Sequence, residues 1–228
     1  MKILLVAATN MEVKMLLNEC QFVNTINDNF KTYCRYNVCF DLLITGLGTT
    51  FTTYHITQAL NQFPYQLVIN AGIAGSLTEE IKIGDVINVV DEEFADLGIE
   101  EENEFMTLFD SGFLQPDEFP FENRLLKTDK LPYVAKLPRV KGVTTNVSHG
   151  NRLSINRLRN RFTAQVESME GASVIYVCKW FGVPCIQIRA ISNYVAPRDI
   201  AQWDIPLALD NLKDTLLELL DEIGNKVN

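Results

Sequence analysis

Residues 2–8, Lys-Ile-Leu-Leu-Val-Ala-Ala, are apolar at every position after the lysine. A strand with one wet face alternates apolar and polar residues. A run without alternation is a strand buried on both faces, as in a parallel or mixed sheet covered by helices. The run is too short to cross a membrane. It leads into a segment with Val13, Leu16 and Leu17 at helical spacing, which Thr9 or Asn10 can cap. The reading is a first strand rather than a signal peptide, in a cytoplasmic protein.

The pattern repeats along the chain. Asn37–Thr45, Gln66–Asn70, Val86–Val90, Val140–Asn146 and Cys185–Ile191 read as strands. Thr49 or Thr50 caps a helix to about Asn61, and Asn151–Phe162 is another helix. Ser173–Phe181 reads as a buried helix stopping at Gly182, with Pro184 beyond. Pro206 sits at the start of an amphipathic helix to about Ile223. Residues 21–35 are a turn-rich hairpin or loop. No Gly/Ser linker divides the chain, so residues 1–228 are expected to form one α/β domain.

Asp91–Glu104 carries eight acids and reads as a solvated loop, although Phe94–Gly98 could fold back on a site. Residues 105–139, with four prolines, read as a long ordered excursion. Arg152, Arg157, Arg159 and Arg161 read as a solvated helix face. The net charge of −9 argues against nucleic-acid binding. The five cysteines form no CxxC pair and read as free thiols of a reducing compartment.

The chemistry lies at the handovers from strand to helix, the edge at which open α/β sheets bind ligands. Glu12 follows the first strand, and Glu167 and Glu170 precede the helix that starts near Gly171. A plainer use exists for Glu12 and Glu170, because an acid in a first helical turn satisfies the helix dipole. Gly46-Leu47-Gly48 and Ala71-Gly72-Ile73-Ala74-Gly75 bring backbone close to another element or a ligand. Arg189 stands inside an apolar strand and needs a carboxylate, with Glu12 and Glu170 as candidates.

Ala8-x-x-x-Glu12-Val13, Gly46-Leu47-Gly48, Asn70-Ala71-Gly72-Ile73-Ala74-Gly75, Ile83-Gly84-Asp85-Val86, Met169-Glu170-Gly171-Ala172 and Arg189-Ala190-Ile191-Ser192-Asn193 occur in that order. Together they resemble the nucleoside phosphorylase and nucleosidase superfamily. Phe94–Gly98, Ser168–Gly171, Arg189–Tyr194 and Trp203-Asp204-Ile205-Pro206 are most similar to its futalosine hydrolase branch, ahead of the methylthioadenosine/S-adenosylhomocysteine nucleosidases. The resemblance implies a three-layer α/β/α sandwich with a mixed central sheet. It implies an N-ribosyl hydrolase that releases hypoxanthine on a route to menaquinone. Another purine nucleosidase, or a nucleoside-binding protein without activity, stays open.

The resemblance also implies roles. Glu12 takes the proton of the attacking water, and Arg189 pairs with Glu12 or the water. Glu170 holds the ribose hydroxyls and Met169 packs on the sugar. Gly72, Ile73 and Gly75 bring backbone to the sugar. Asn146 and Val147, in the stretch 146–149, face the base. Asn193 donates a hydrogen bond to the base, its own carbonyl held by backbone. Arg198, Arg35 or the arginine-rich helix serves an aryl carboxylate. The implied partners are a small nucleoside and a second copy of the chain in a homodimer or larger assembly. No membrane, metal or cofactor is implied. Two departures from the nucleosidases stand out: Ile73 replaces a serine that touches the water, and Asn193 replaces the aspartate that protonates adenine, which points away from adenine nucleosides. Asn70-Ala71 stands where the phosphorylases carry a phosphate-gripping arginine, which favours water as the nucleophile.

Overall fold

The computed structural model describes residues 1–102 and 104–226, with only the backbone at Lys226. The elements are β1 (Ile3–Ala7), α1 (Asn10–Leu17), β2 (Gln21–Asn27), β3 (Phe30–Arg35), β4 (Val38–Ile44), α2 (Thr49–Gln62), β5 (Leu67–Ser76) and β6 (Val86–Phe94). After these come β7 (Gly98–Glu100), β8 (Phe105–Thr107), β9 (Leu126–Lys127), β10 (Arg139–Thr144), α3 (Arg152–Arg161), β11 (Val166–Ser168), α4 (Gly171–Phe181), β12 (Cys185–Tyr194) and α5 (Ile205–Lys226).

The main sheet runs β11-β10-β6-β12-β5-β1-β4-β3-β2. It is mixed. β4, β1, β5 and β12 are parallel, whereas β6 is antiparallel to β12 and β3 to β4. The first strand is buried on both faces, as its sequence requires. Ile3, Leu5 and Ala7 join the core containing Val13, Leu16 and residues 208–223 of α5. Leu4 and Val6 join the opposite core, with Ile56 and Leu60 of α2 and Val174 to Cys178 of α4. Three layers result. Among the described residues no helix is long and apolar enough to cross a membrane.

Four local differences from the sequence reading matter. β5 does not end at Asn70. It continues through the glycine-rich stretch to Ser76, because β12 flanks it there on one side and β11 on the other. That pairing closes β5, β12, β6, β10 and β11 into a ring. The acid run is not wholly solvated. Its start lies in β6, and Glu92 is buried at 1% exposure. The cysteines are not all free thiols. Cys34 and Cys39 are register partners across the β3–β4 hairpin and form a disulfide. The arginines of α3 do more than meet water. Arg161 pairs with Asp110, Arg157 with Glu100, and Arg159 donates to the Val195 carbonyl, tying α3 to the excursion and to the end of β12.

Candidate active site

Glu12 both closes its own helix and reaches across to β5. Its Oε2 accepts from the Thr9 backbone N at 2.9 Å and from Thr9 Oγ1 at 3.2 Å, closing the first turn of α1. Its Oε1 crosses to β5 and accepts from Ile73 N at 3.1 Å. The side chain is 8% exposed, so its carboxylate is fixed by backbone while still lining a pocket.

Arg189 lies on β12 in register with Gly72 of β5. Gly72 leaves the room that the Arg189 and Glu12 side chains occupy. A Cβ would collide with Arg189 Nη1 and stand 2.5 Å from Glu12 Oε1. Arg189 is fully buried, with its Nη2 3.7 Å from Glu170 Oε2. Among the described residues none of its three guanidinium nitrogens has a hydrogen-bond partner. Buried donors of this kind are rare and occur where strain, catalysis or a bound water or ion accounts for them.

Glu170 occupies the N-cap position of α4 but does not cap that helix with its side chain. Its Oε1 instead accepts from Gly48 N at 3.0 Å, at the start of α2. Gly48 is the N-cap of α2 rather than Thr49 or Thr50, and the Thr49 hydroxyl donates to Asn146 at 2.7 Å. Burial raises the Glu170 carboxyl above its ordinary value, and Arg189 opposes that rise. Beneath this group Glu92 accepts from Thr144 Oγ1 at 2.9 Å and from Gln187 Nε2 at 2.8 Å. Burial pushes the Glu92 carboxyl up to about 7, against the pull of Thr144, Arg189 and Gln187. Asn70 donates to Gln187 Oε1 at 3.1 Å and is buried in the same interior.

Three residues further along β5, roughly 10 Å at strand spacing, Gly75 is in register with Asn193 on one side and Glu167 on the other. Asn193 does not hold its carbonyl to backbone as expected. Its Nδ2 donates to the Tyr194 carbonyl at 3.0 Å, and its Oδ1 accepts from Ser192 Oγ at 2.8 Å. Glu167 grips His149 at two points. Its Oε1 accepts from the His149 backbone N at 3.0 Å, and its Oε2 lies 2.5 Å from His149 Nδ1. Arg198 spreads over the Trp203 ring at 5.2 Å.

These groups line a pocket of about 220 Å³. Glu12, Ile73, Gly75, Met169, Glu170, Asn193 and Arg198 line it, with Gly72 and Arg189 behind its inner end. Asn146 and Val147 do not. Asn146 is tied to Thr49 and, through its backbone N at 2.5 Å, to Asp96 of the folded-back Phe94–Gly98 segment. Val147 is 64% exposed. The next two residues, Ser148 and His149, line the pocket instead. Glu167, one of the two glutamates at the strand-to-helix handover, also lines it, as do Ser192, Trp203 and Leu47, which the sequence reading gave no site role. Trp203 carried a signal as the aromatic member of a polar segment. Leu47 carried one as the residue between two glycines. Among the described residues no group of three or more His, Cys, Asp or Glu side chains is placed to hold a metal.

A family model described as the phosphorylase superfamily matches residues 2–223. The chain belongs to the phosphorylase superfamily. Among curated superfamily members it is 32% identical over 192 residues to the futalosine hydrolase of Streptomyces coelicolor, covering 79% of this chain and 78% of that one. It is 25% identical to the 5′-methylthioadenosine/S-adenosylhomocysteine nucleosidase of Glaesserella parasuis, covering 82% and 83%. The solved structure of Helicobacter pylori futalosine hydrolase superposes with a TM-score of 0.81 at 22% identity over 97% of both chains, which shows the shared fold. Within the superfamily the chain groups with the nucleosidases.

Proposed function

We propose that the chain hydrolyses the N-ribosidic bond of futalosine and releases hypoxanthine. One observation carries the proposal. Two carboxylates, Glu12 and Glu170, meet a buried arginine with free donors at one end of the pocket, and an amide rather than an acid, Asn193, stands at the other. Cleaving a ribose–base bond develops positive charge on the sugar, and a positioned carboxylate takes the proton of the attacking water. Glu12 is the carboxylate held by Thr9 and Ile73 for that task. Arg189 orients the water and faces Glu170, whose Oε2, the oxygen not bound to Gly48 and 3.7 Å from Arg189 Nη2, is the one offered to the ribose hydroxyls. Met169 packs on the sugar. Water rather than phosphate attacks, because Asn70 is committed to Gln187 and offers no cation to an incoming phosphate.

An amide is a hydrogen-bond donor and acceptor without an ionisable proton. It suits a base that carries a lactam and disfavours one that needs full protonation at that wall. The similarity to the Streptomyces coelicolor futalosine hydrolase supports the same choice. The aryl carboxylate of futalosine finds its cation in Arg198, which has no acidic partner among the described residues and sits at the pocket rim.

The test is one set of incubations with futalosine, inosine and methylthioadenosine, each with and without phosphate, followed by analysis of base and sugar. Hypoxanthine and free sugar from futalosine, at a rate indifferent to phosphate, are expected. Preferential adenine release, or a ribose 1-phosphate product, would sink the assignment.

A further inference from the structure

We infer that His149, held by Glu167, is the acid that hands a proton to the departing base, a role that presupposes nucleosidase activity at this site. When the C1′–N bond breaks, its electron pair goes to the base, which leaves fastest if a proton arrives with the charge. Asn193 cannot supply that proton. Its side chain is also partly committed, to the Tyr194 carbonyl and to the Ser192 hydroxyl.

His149 is placed to do so. Glu167 and Asn193 flank Gly75 in register on either side of β5, so a histidine bonded to Glu167 stands at the Asn193 end of the pocket. Glu12, Glu170 and Arg189 gather at Gly72, three residues away along the same strand. The two groups thus face one pocket from separate points along β5. Nδ1 of His149 is bound to the Glu167 carboxylate, which fixes its hydrogen there, and the backbone N of His149 is held by the other oxygen. Nε2 makes no hydrogen bond among the described residues, on a side chain that lines the pocket.

The charges around His149 favour its protonated form. Glu167 on β11 raises its pKa through the hydrogen bond, and Asp96 beyond β6 adds to the rise, while burial opposes it. Across the pocket stand the Glu12 and Glu170 carboxylates, while the Arg198 cation lies on the same side as His149, its backbone N donating to Gly150 O at 3.1 Å. The step balances. The C1′–N bond breaks toward the base, and the Nε2–H proton goes to the base. The water oxygen bonds to C1′, and the water proton goes to Glu12. Solvent then returns a proton from Glu12 to His149, and the net change is nucleoside plus water to sugar plus free base. His149 is a catalytic residue in this scheme, and Glu167 is a positioning residue.

The test compares substrates that do and do not need an acid. Futalosine and inosine need one. 4-Nitrophenyl β-ribofuranoside does not, because its phenolate leaves unprotonated. His149→Gln is expected to lose about 10²–10⁴-fold in kcat on the purine nucleosides and only a few-fold on the nitrophenyl riboside. Glu167→Gln removes the charge that favours the imidazolium, so the alkaline limb of its kcat/KM profile should move to lower pH. Equal losses on both substrate types would overturn the inference, as would an unmoved alkaline limb. If His149→Gln fails to fold, the Glu167→Gln profile decides alone. Wild-type turnover of inosine but not futalosine removes the futalosine assignment and leaves the acid to be judged on inosine. Release of base from no nucleoside removes both.

Discussion

At Gly72 the pocket is walled by regular structure. Glu12 comes from the first turn of α1, Arg189 from the middle of β12, and Glu170 from the start of α4, each 8% exposed or less. At Gly75 and beyond, the wall is made of connections. Ser148 and His149 precede α3, and Arg198 and Trp203 lie between β12 and α5. The first end places charged groups where water is scarce, so each is held by backbone N–H groups or by an opposite charge. Buried charges of this kind interact strongly and are costly to disturb. The second end keeps its cation at the surface, where a loop changes more easily than a strand. The expected consequence is a split in kinetics: changes at Gly72 should appear in kcat or in folding and changes at the Arg198 rim in KM and in the choice of substrate, with His149 as the one group of the outer wall expected to act on kcat.

The sharpest test is Glu12→Gln. We expect a loss of about 10²–10⁴ in kcat, the worth of a positioned general base. KM should change little, and the fold should persist because the amide oxygen still accepts from Thr9 or Ile73. Turnover near wild type in a folded variant would remove Glu12 from the chemistry and leave the inner end with a structural task only.

Glu170 tests whether the inner end carries stability as well. Its carboxylate holds Gly48 N and faces Arg189, so Glu170→Ala strands a buried guanidinium. Removing one partner of a buried pair typically costs about 3–5 kcal/mol. Glu170→Gln keeps the Gly48 bond and should recover part of the folding loss without recovering kcat/KM. Urea melts beside kinetics would separate the two. Alanine and glutamine variants of equal stability would show that the charge pairing contributes nothing to the fold.

Glu92 extends the test beneath the pocket. Its carboxyl rises from 4.5 to about 7 in the folded chain. Between those values the native state holds a proton that the unfolded chain has lost, so stability falls as pH rises through that window. The full effect is on the order of 3 kcal/mol. Glu170 and His149 are also raised, and each adds a slope of the same sign. The part that vanishes in Glu92→Gln is therefore the measure, read as urea midpoints at pH 5 and pH 7.5. Parallel profiles for the two proteins would show that Glu92 is ionised in the fold throughout.

The inner end was largely legible in the sequence because its signals are local. An apolar run, a capping residue and an acid in the first turn place Glu12. A lone arginine in an apolar strand announces a partner, and two glutamates were available. What was missed depends on contacts distant in the chain. Glu92 looks like any acid of an acid run. Its burial is permitted by Gly142 and Gly171, where a Cβ would stand 2.6 and 2.7 Å from Glu92 Oε2. The glycine-rich stretch carries little strand propensity, yet it is strand because β11 and β12 flank it. The disulfide required the β3–β4 register. At the rim, Asn146 and Val147 were expected at the base, but Asp96 and Thr49 hold Asn146 aside and the following pair enters the pocket. Loop register of this kind has no periodicity to read.

Arg198 gives the smallest effect and the clearest view of the outer end. Its guanidinium lies over Trp203, its backbone N donates to Gly150 O at 3.1 Å, and it pairs with no acid among the described residues. The backbone position is thus fixed while the charge remains available at the rim. A carboxylate on the far half of futalosine would gain a charge-assisted hydrogen bond there, and inosine has no such group. In Arg198→Gln we expect KM for futalosine to rise about tenfold, the worth of one such bond, with kcat within twofold and inosine kinetics unchanged. Added salt should weaken futalosine binding in the wild type and do so less in the variant, since an exposed pair is screened. An equal rise in KM for inosine would place Arg198 at the nucleoside itself. A fall in kcat without a change in KM would erase the division between the two ends, because a surface side chain would then be acting on the bond-breaking step.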